Sequence, residues 1–475
     1  MSDFQLTING KGVDAERYFE VINPATETLV AQAPDAGRTQ LEATVAAANA
    51  AFVSWGQSAR SERNSHVQQL MGLLQKNLES LAQLLTQEQG KPLQDARDEV
   101  GACLMWCEAF VHTRLTNKIL QDTPENRIEL QHRPLGVVAA IVPWNAPLMV
   151  AVWKLLQAVL SGNTIIIKPS PYTPLTALKL GEFCRQAFPP GVVNVLSGGN
   201  ELGQWMTSHE GIHKVSFTGS TNTGKQIMAS ASGNLKRLTL ELGGNDAAIV
   251  LNDVDVAAVT EKLFWSAFYN AGQICAALKR LYVHEDIYEA LCQALVSYAG
   301  YIKQGNGLEE GVAMGPVQNR MQFEKLCELS RSVQEEGGRF LCGGVVTAQQ
   351  GYFFPITLVA DLADDSRLVS EEQFGPILPI LKFSDVDEVI ERANNTPYGL
   401  GGSIWTNNLE LGAELANRLE SGSAWVNQHA AVRPDVPFGG AKQSGIGVEN
   451  TELGLAEFTR VQVINVASPA AVSAN

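Results

Sequence analysis

No stretch of this 475-residue chain reaches the roughly 18 consecutive apolar residues that a membrane span requires, which argues against an integral membrane protein. The opening MSDFQLTING lacks a basic segment followed by an apolar run, so no secretory leader is expected. Cysteine is scarce: seven residues, at 103, 107, 184, 275, 292, 327 and 342, an odd number widely scattered. That argues against a disulfide framework and for a reducing compartment. Basic blocks are also missing. With 35 Lys and Arg against 50 Asp and Glu, the net charge is −15, a field that repels nucleic acid and anionic membrane. Internal repeats and low-complexity tracts are absent, and no metal site is assigned. These absences describe a soluble, cytoplasmic protein whose partner is a small molecule.

What is present is a large capacity for core formation. At 45% hydrophobic and 18% charged residues, the length suggests two or three domains. Between about 135 and 285, short β-branched runs alternate with segments of helical periodicity, the pattern of βαβ units around a parallel sheet. Expected strands are 136–142, 163–168, 192–195, 214–217, 237–241, 246–250 and 280–283, apolar enough to be covered on both faces. Helices are expected before them at 39–56, 61–89 and 92–113. In the second, Val67, Leu70, Met71, Leu74, Leu78, Leu81 and Leu85 form one stripe, with Ser61 as cap and Gly90 as stop. Helices near 254–270, 286–304, 316–335, 386–396 and 408–420, with strands near 376–383 and 424–427, suggest a second α/β lobe. The polar stretch 114–133 reads as a protruding hairpin, and the tail after Ala467 as mobile.

The strand KVSF runs into TGSTNTGKQ, where amides freed by Gly219 and Gly224 would face an anion at a helix start. The loop misses the dinucleotide fingerprint by one glycine. It also matches the nucleotide triphosphatase loop except where Gln226 stands in place of a metal-binding hydroxyl. On that second reading, Glu241 would be the acidic strand end for the metal. An ordinary strand-to-helix turn is the third possibility.

Cys275 lies in NAGQICAALKR between a helix and a strand, a favourable place to expose a thiol. Position alone fits a buried structural cysteine better than a nucleophile. Glu241 ends an apolar strand before Gly243 and Gly244, where a half-buried carboxyl with a raised pKa can act as a general base. Asn145, between prolines in PWNAP, can present its amide to a developing oxyanion, or simply shape a turn.

In combination these segments resemble the aldehyde dehydrogenase superfamily, in its NAD(P)-dependent hydrolytic branch, over nearly the whole chain. The motifs occur in the family's order: PWNAP (143–147), IIIKPS (165–170), FTGSTNTG (217–224), LELGG (240–244), GQIC (272–275), EEQFGP (371–376) and PFGGAKQSG (437–445). The resemblance implies an α/β fold: a Rossmann-like dinucleotide-binding domain (1–113 and 134–243), an α/β catalytic domain (244–443) and a small β oligomerisation arm (114–133 and 444–475). It further implies that Cys275 attacks the aldehyde and that Asn145 and the Cys275 N–H hold the oxyanion. After hydride transfer, Glu241 activates the water that hydrolyses the thioester.

Cofactor contacts carry over as Lys168 to the adenosine ribose, Gly219, Ser220 and Gly224 to the pyrophosphate region, and Glu372 with Phe374 to the nicotinamide ribose. Ser170 and Leu242 complete this set. One departure concerns the acceptor: NAD-preferring members often carry Glu three residues after the lysine, where this chain has Pro171. The carboxylate that would repel a 2′-phosphate is absent, so both NAD and NADP are admitted, with Lys168 and Ser170 as phosphate partners.

Positions lining the family's aldehyde tunnel map to Ala146, Val150, Trp153, Ile274, Ala276, Val432 and Phe438, none of them charged. They imply an apolar aliphatic or aromatic aldehyde, with His429 and Arg433 available to a polar head. A homodimer or homotetramer is implied, with 461–467 pairing at the arm. Two competing readings are a CoA-acylating semialdehyde dehydrogenase, which characteristically lacks the base, and an inactive structural homologue.

Overall fold

The computed structural model describes residues 4–467. Two parallel-cored sheets organise the chain. The first has eight strands in the order Lys11–Val13, Leu6–Ile8, Val193–Val195, Thr164–Lys168, Val137–Ile141, Lys214–Thr218, Arg237–Glu241 and Gly445–Ile446. Its five central strands are parallel, and antiparallel strands close both edges. Every residue of Thr164–Lys168 is buried, as expected of a strand covered on both faces by helices.

Chain order reverses between Val137–Ile141 and Lys214–Thr218, which pair in register from Val138 with Lys214 to Ile141 with Phe217. A crevice opens at such a switch point, beyond the carboxyl ends of the strands. The loops PWNAP and TGS leave those two ends side by side.

The second sheet has seven strands: Arg339–Cys342, Thr357–Ala360, Ile377–Phe383, Leu278–His284, Asp246–Val250, Gly401–Trp405 and Ser423–Val426. All its pairings are parallel except at the first strand. The chain passes from the end of the first sheet at Glu241 to the start of the second at Asp246 through LGGN, so the crevice lies between the sheets.

A third, small sheet forms the arm. Thr459–Ala467 pairs along the whole of Asn126–Pro134, which also pairs with Lys118–Asp122, so the hairpin expected at 114–133 is present. The expected arm segment 444–475 divides. Gly445–Ile446 joins the first sheet, Thr451–Glu457 is a short helix, and only Thr459–Ala467 lies in the arm; 468–475 is outside the described residues, as is the tail read as mobile.

The expected helix 61–89 is two helices, Arg60–Lys76 and Leu78–Gln89, separated at Asn77 (φ −108°, ψ 16°). The Asn77 amide donates to the Leu73 carbonyl at 2.8 Å, the local bonding by which Asn competes with helix continuation. The apolar stripe survives the break because Leu70, Leu74, Leu81 and Leu85 still face the core. Ser61 is not the cap: Ala59 precedes the first turn, without a side-chain bond. Gly90 does end the second helix, at φ 98°. The four strands between Leu6 and Asp35 are absent from the sequence reading, being short and only partly apolar.

Candidate active site

The loop carrying Cys275, the candidate nucleophile, begins where helix Val256–Phe268 ends. Three successive residues, Asn270, Ala271 and Gly272, adopt positive φ (51°, 55° and 71°), a conformation that is unfavourable for the first two. Side-chain bonds hold it there. Asn270 Nδ2 donates to the Asn145 carbonyl at 3.1 Å, and Gln273 Nε2 to the Asn270 carbonyl at 2.9 Å. A side chain at Gly272 would collide with the Gly375 carbonyl, so glycine is required there sterically as well as conformationally.

This tight turn delivers Cys275 to the crevice. Cys103, Cys107, Cys184 and Cys292 are buried, whereas Cys275 keeps partial exposure. Burial pushes its thiol up to about 12. Lys279 pulls it back, and the carboxyls of Glu241, Asp246 and Glu372 push further upward.

Asn145 is buried, and its Nδ2 donates to the Gln273 carbonyl at 2.8 Å, which brings the amide against the nucleophile loop. Its carbonyl is held by Lys91 Nζ at 3.0 Å. Lys91 forms a fully buried ion pair with Glu99, whose second oxygen accepts the amides of Leu148 and Met149 at 3.0 and 3.1 Å. A carboxylate at the N-terminus of helix Pro147–Leu160 satisfies free amides and complements the helix dipole. The oxyanion candidate is thus fastened from two sides.

Glu241 is 4% exposed, and neither carboxyl oxygen has a hydrogen-bond partner among the described residues. Burial raises its pKa well above the usual carboxylate range; the nearby carboxyl of Glu449 adds to this and Lys154 opposes it. Lys154 pairs with Glu449 in the interior, where Gln157 Nε2 also donates to Glu449 at 3.2 Å. Strand Gly445–Ile446 clamps Leu240 and Glu241, and Leu242 N donates to the Ser444 carbonyl at 2.9 Å. The PFGGAKQSG motif therefore positions Glu241.

On the other side of the crevice, Gly219 N donates to the Glu241 carbonyl at 3.0 Å, and Ser220 caps helix Thr221–Ala231 by accepting from Thr223 N. Gly224 lies against Leu242, where a Cβ would meet its Cδ2 at 2.6 Å. Helix and strand approach closely enough to present free amides at the first turn. The Lys168 ammonium is buried and lowered to about 8, mainly by desolvation. Its one hydrogen bond among the described residues is a 3.3 Å donation to the Pro169 carbonyl. A buried cation so sparsely bonded, beside the switch-point crevice, fits ribose hydroxyls or a phosphate. Ser170 Oγ accepts from Tyr172 N at 3.3 Å.

Glu372 accepts the Gly244 amide at 3.1 Å and pairs with Lys279 at 3.4 Å. Phe374, at φ 54°, packs edge-on against Trp144 with ring centroids 5.3 Å apart. Both therefore sit by the crevice at the edge of the nucleophile loop.

Val150, Trp153, Ala276 and Phe438 are buried in one cluster, with Ala146, Cys275 and Val432 packed against it; Ile274 is half-exposed outside it. Trp153 stacks obliquely on Phe438 and on Trp106, at 6.0 and 5.7 Å. Trp106 is an apolar wall residue that the motif-based reading missed. The two polar-head candidates point elsewhere. The His429 side chain is buried on Ser403 Oγ at 2.8 Å, and Arg433 pairs with Asp435 at the surface.

Lys91, Glu99, Lys154, Glu449 and Lys279 were also missed. Lys154, alone inside the apolar run VAVWKLLQAVL, carried a usable signal, since an isolated lysine in a buried helix needs a partner.

The family model for the aldehyde dehydrogenase family matches residues 12–464. The chain belongs to the aldehyde dehydrogenase family. It is 44% identical to a Pseudomonas sp protein named "Probable aldehyde dehydrogenase", covering 98% of this chain and 94% of the relative. It is 39% identical to phenylacetaldehyde dehydrogenase of Pseudomonas fluorescens, covering 98% and 96%. An NAD+ complex of the Bacillus cereus aldehyde dehydrogenase superposes with a TM-score of 0.96 at 37% identity, covering 98% of this chain and 96% of the other. Membership of this aldehyde dehydrogenase family removes the triphosphatase reading of the glycine-rich turn. No helix among the described residues is long and apolar enough to cross a membrane.

Proposed function

We propose that this aldehyde dehydrogenase converts an apolar aldehyde, aliphatic or aromatic, to its carboxylic acid with NAD+ or NADP+, through Cys275, Glu241 and Asn145. The observation that carries the reading is a carboxyl without partners, Glu241, buried near a partly exposed thiol in an apolar-walled crevice.

As thiolate, Cys275 adds to the carbonyl carbon, forming a C–S bond and an oxyanion that the Asn145 amide and the Cys275 N–H stabilise. A nicotinamide dinucleotide, when bound, would supply the hydride acceptor that oxidation of this adduct to a thioester requires. Glu241, once ionised, takes a proton from water as it attacks the thioester. The C–S bond breaks and the acid departs. Lys168, Ser170, Gly219, Ser220, Gly224, Leu242, Glu372 and Phe374 would hold the dinucleotide. The chemistry of Pro171 beside Lys168 supports acceptance of a 2′-phosphate, and the printed name of the phenylacetaldehyde relative agrees with an apolar substrate.

Free cysteines fit a reducing, cytoplasmic setting, and the exposed apolar residues of the arm support assembly into a dimer or tetramer.

The test is reduction of NAD+ or NADP+ by the purified protein with a panel of aldehydes, with and without CoA. Turnover without CoA is expected; strict CoA dependence would favour the acylating reading. Cys275→Ala should abolish turnover and retain dinucleotide binding. Activity in that variant would overturn the mechanism.

A further inference from the structure

Lys279 is the second residue of strand Leu278–His284, four residues after Cys275, and is buried. Its ammonium donates to the carbonyls of Ile274, at 3.0 Å, and of Cys275 itself. Across from them it pairs with Glu372 Oε1 at 3.4 Å, and it stands 5.9 Å from the centre of the Phe374 ring. One buried cation therefore bridges the nucleophile's backbone and the loop carrying Glu372. Two of the three ammonium hydrogens go to the backbone carbonyls, and Glu372 balances the charge as an ion pair.

We propose that Lys279 is a positioning residue for the nucleophile: its ammonium fastens the Ile274–Cys275 backbone and faces the thiol as the cation favouring thiolate, with Glu372 as its counter-ion. The proposal rests on the reading of Cys275 as the reactive thiol.

The charges around the pair define the sign. Cys275 faces the carboxyls of Glu241 at the end of strand Arg237–Glu241, of Asp246 at the start of strand Asp246–Val250, and of Glu372 from the loop before strand Ile377–Phe383, with Lys279 against them. Lys279 in turn is faced by Asp246, by Glu372, by Lys325 of helix Arg320–Glu335 and by His429 after strand Ser423–Val426. Near a cation the thiolate is favoured; near carboxylates it is opposed. Removing Lys279 takes away the opposition to three carboxyls. Removing the charge of Glu372 takes one carboxyl from the thiol and leaves Asp246 as the remaining carboxyl against Lys279, so the two substitutions act in opposite directions.

The test is the pH profile of Cys275 alkylation by iodoacetamide, followed at the Cys275 peptide by mass spectrometry, without cofactor or aldehyde. Lys279→Met is expected to move the midpoint up by at least about one pH unit, an approximately tenfold slower reaction at fixed pH below the midpoint. Lys279→Arg, which keeps the charge, should stay near the parent, and Glu372→Gln should move the midpoint down. Superposed profiles for Lys279→Met and the parent, both folded by circular dichroism, would overturn the proposal.

If Lys279→Met does not fold, Lys279→Gln decides: an upward move supports the proposal, and an unchanged or downward midpoint overturns it, whereas the downward move of Glu372→Gln also follows from direct repulsion between that carboxyl and the thiolate. Because no turnover is measured, these outcomes are independent of the aldehyde assay. An unmoved midpoint in an enzyme whose Cys275→Ala variant is inactive rejects the role of Lys279 alone.

Discussion

At the scale of the residue, the site holds two acids whose working forms are both disfavoured at rest. Cys275 is pushed up to about 12 and Glu241 lies well above the usual carboxylate range, each chiefly by burial. On the proposed mechanism both act deprotonated, so turnover is expected to rise with pH. For Glu241 the neighbouring charges give the sign: Glu449 repels the ionised form and Lys154 favours it. Glu449→Gln removes the repulsion and frees Lys154, so the acid limb of the kcat profile for thioester hydrolysis should move to lower pH. A limb that stays in place or moves up would show that Glu449 does not tune the base.

Glu241→Gln isolates the second step. It should give a single-turnover burst of reduced cofactor, followed by a steady state slower by about 10²–10⁴-fold, the usual contribution of a general base. Loss of the burst itself would mean that Glu241 is needed before the thioester forms. Cys275, Glu241 and Asn145 could be singled out as candidates because each occupies a motif at the end of an element, where a side chain can face a crevice. Lys279 and Glu449 were not. Their importance depends on which distant segments meet them: Glu372 lies 93 positions beyond Lys279, and Ser216 lies 233 positions before Glu449.

At the scale of the element, the helix Pro147–Leu160 positions much of the site. Its N-terminus rests on Glu99, its middle sends Lys154 to Glu449, and Val150 and Trp153 face the apolar wall. Replacing Glu99 with Ala removes the partner of buried Lys91 and the acceptor of two helix amides. Breaking a buried pair from one side typically destabilises by about 3–5 kcal/mol, because the remaining charge is stranded. Urea unfolding should show a loss of that order, together with reduced kcat, since Lys91 also holds the Asn145 carbonyl. A stability within about 0.5 kcal/mol of the parent, the usual range for an uninvolved surface change, would show that the pair does not anchor the loop.

Elements with continuous apolar character were mostly legible: the five parallel strands of the first sheet and Asp246–Val250, Leu278–His284, Ile377–Phe383 and Ser423–Val426 of the second follow from the pattern, whereas the buried strands Thr357–Ala360 and Gly401–Trp405, short or opened by two glycines, were missed. The break at Asn77 was hidden because the stripe from Leu70 to Leu85 stays in phase across it. The strands Arg17–Ile22 and Leu29–Asp35 pair with each other and bury few residues, so they leave little alternation to read.

At the scale of the whole molecule, the distribution of apolar surface points to assembly. Most large hydrophobic side chains are enclosed in three clusters, two of which flank the second sheet. The arm is an exception: Ile119, Leu120, Val461, Val463 and Val466 are all more than half exposed. Thr459–Ala467 is a nine-residue edge strand, fully paired with Asn126–Pro134 on one side and open on the other. An open edge of that length with alternating exposed valines is a template for another strand or an apolar surface, and isolated proteins usually blunt such edges with charge. In the sequence this segment was legible only through family resemblance, because an exposed strand carries the same alternation as a half-buried one and reveals neither which face is covered nor by what. The double substitution Val461→Lys with Val463→Lys places two like charges on that exposed face without altering the pairing with Asn126–Pro134. Light scattering coupled to size exclusion should then report a smaller species than the parent. Far-ultraviolet circular dichroism should be unchanged, because the valines contribute little to the chain's own core. If the parent is already monomeric, or the variant keeps the parent's mass, the arm is not the interface and its exposed valines require another occupant.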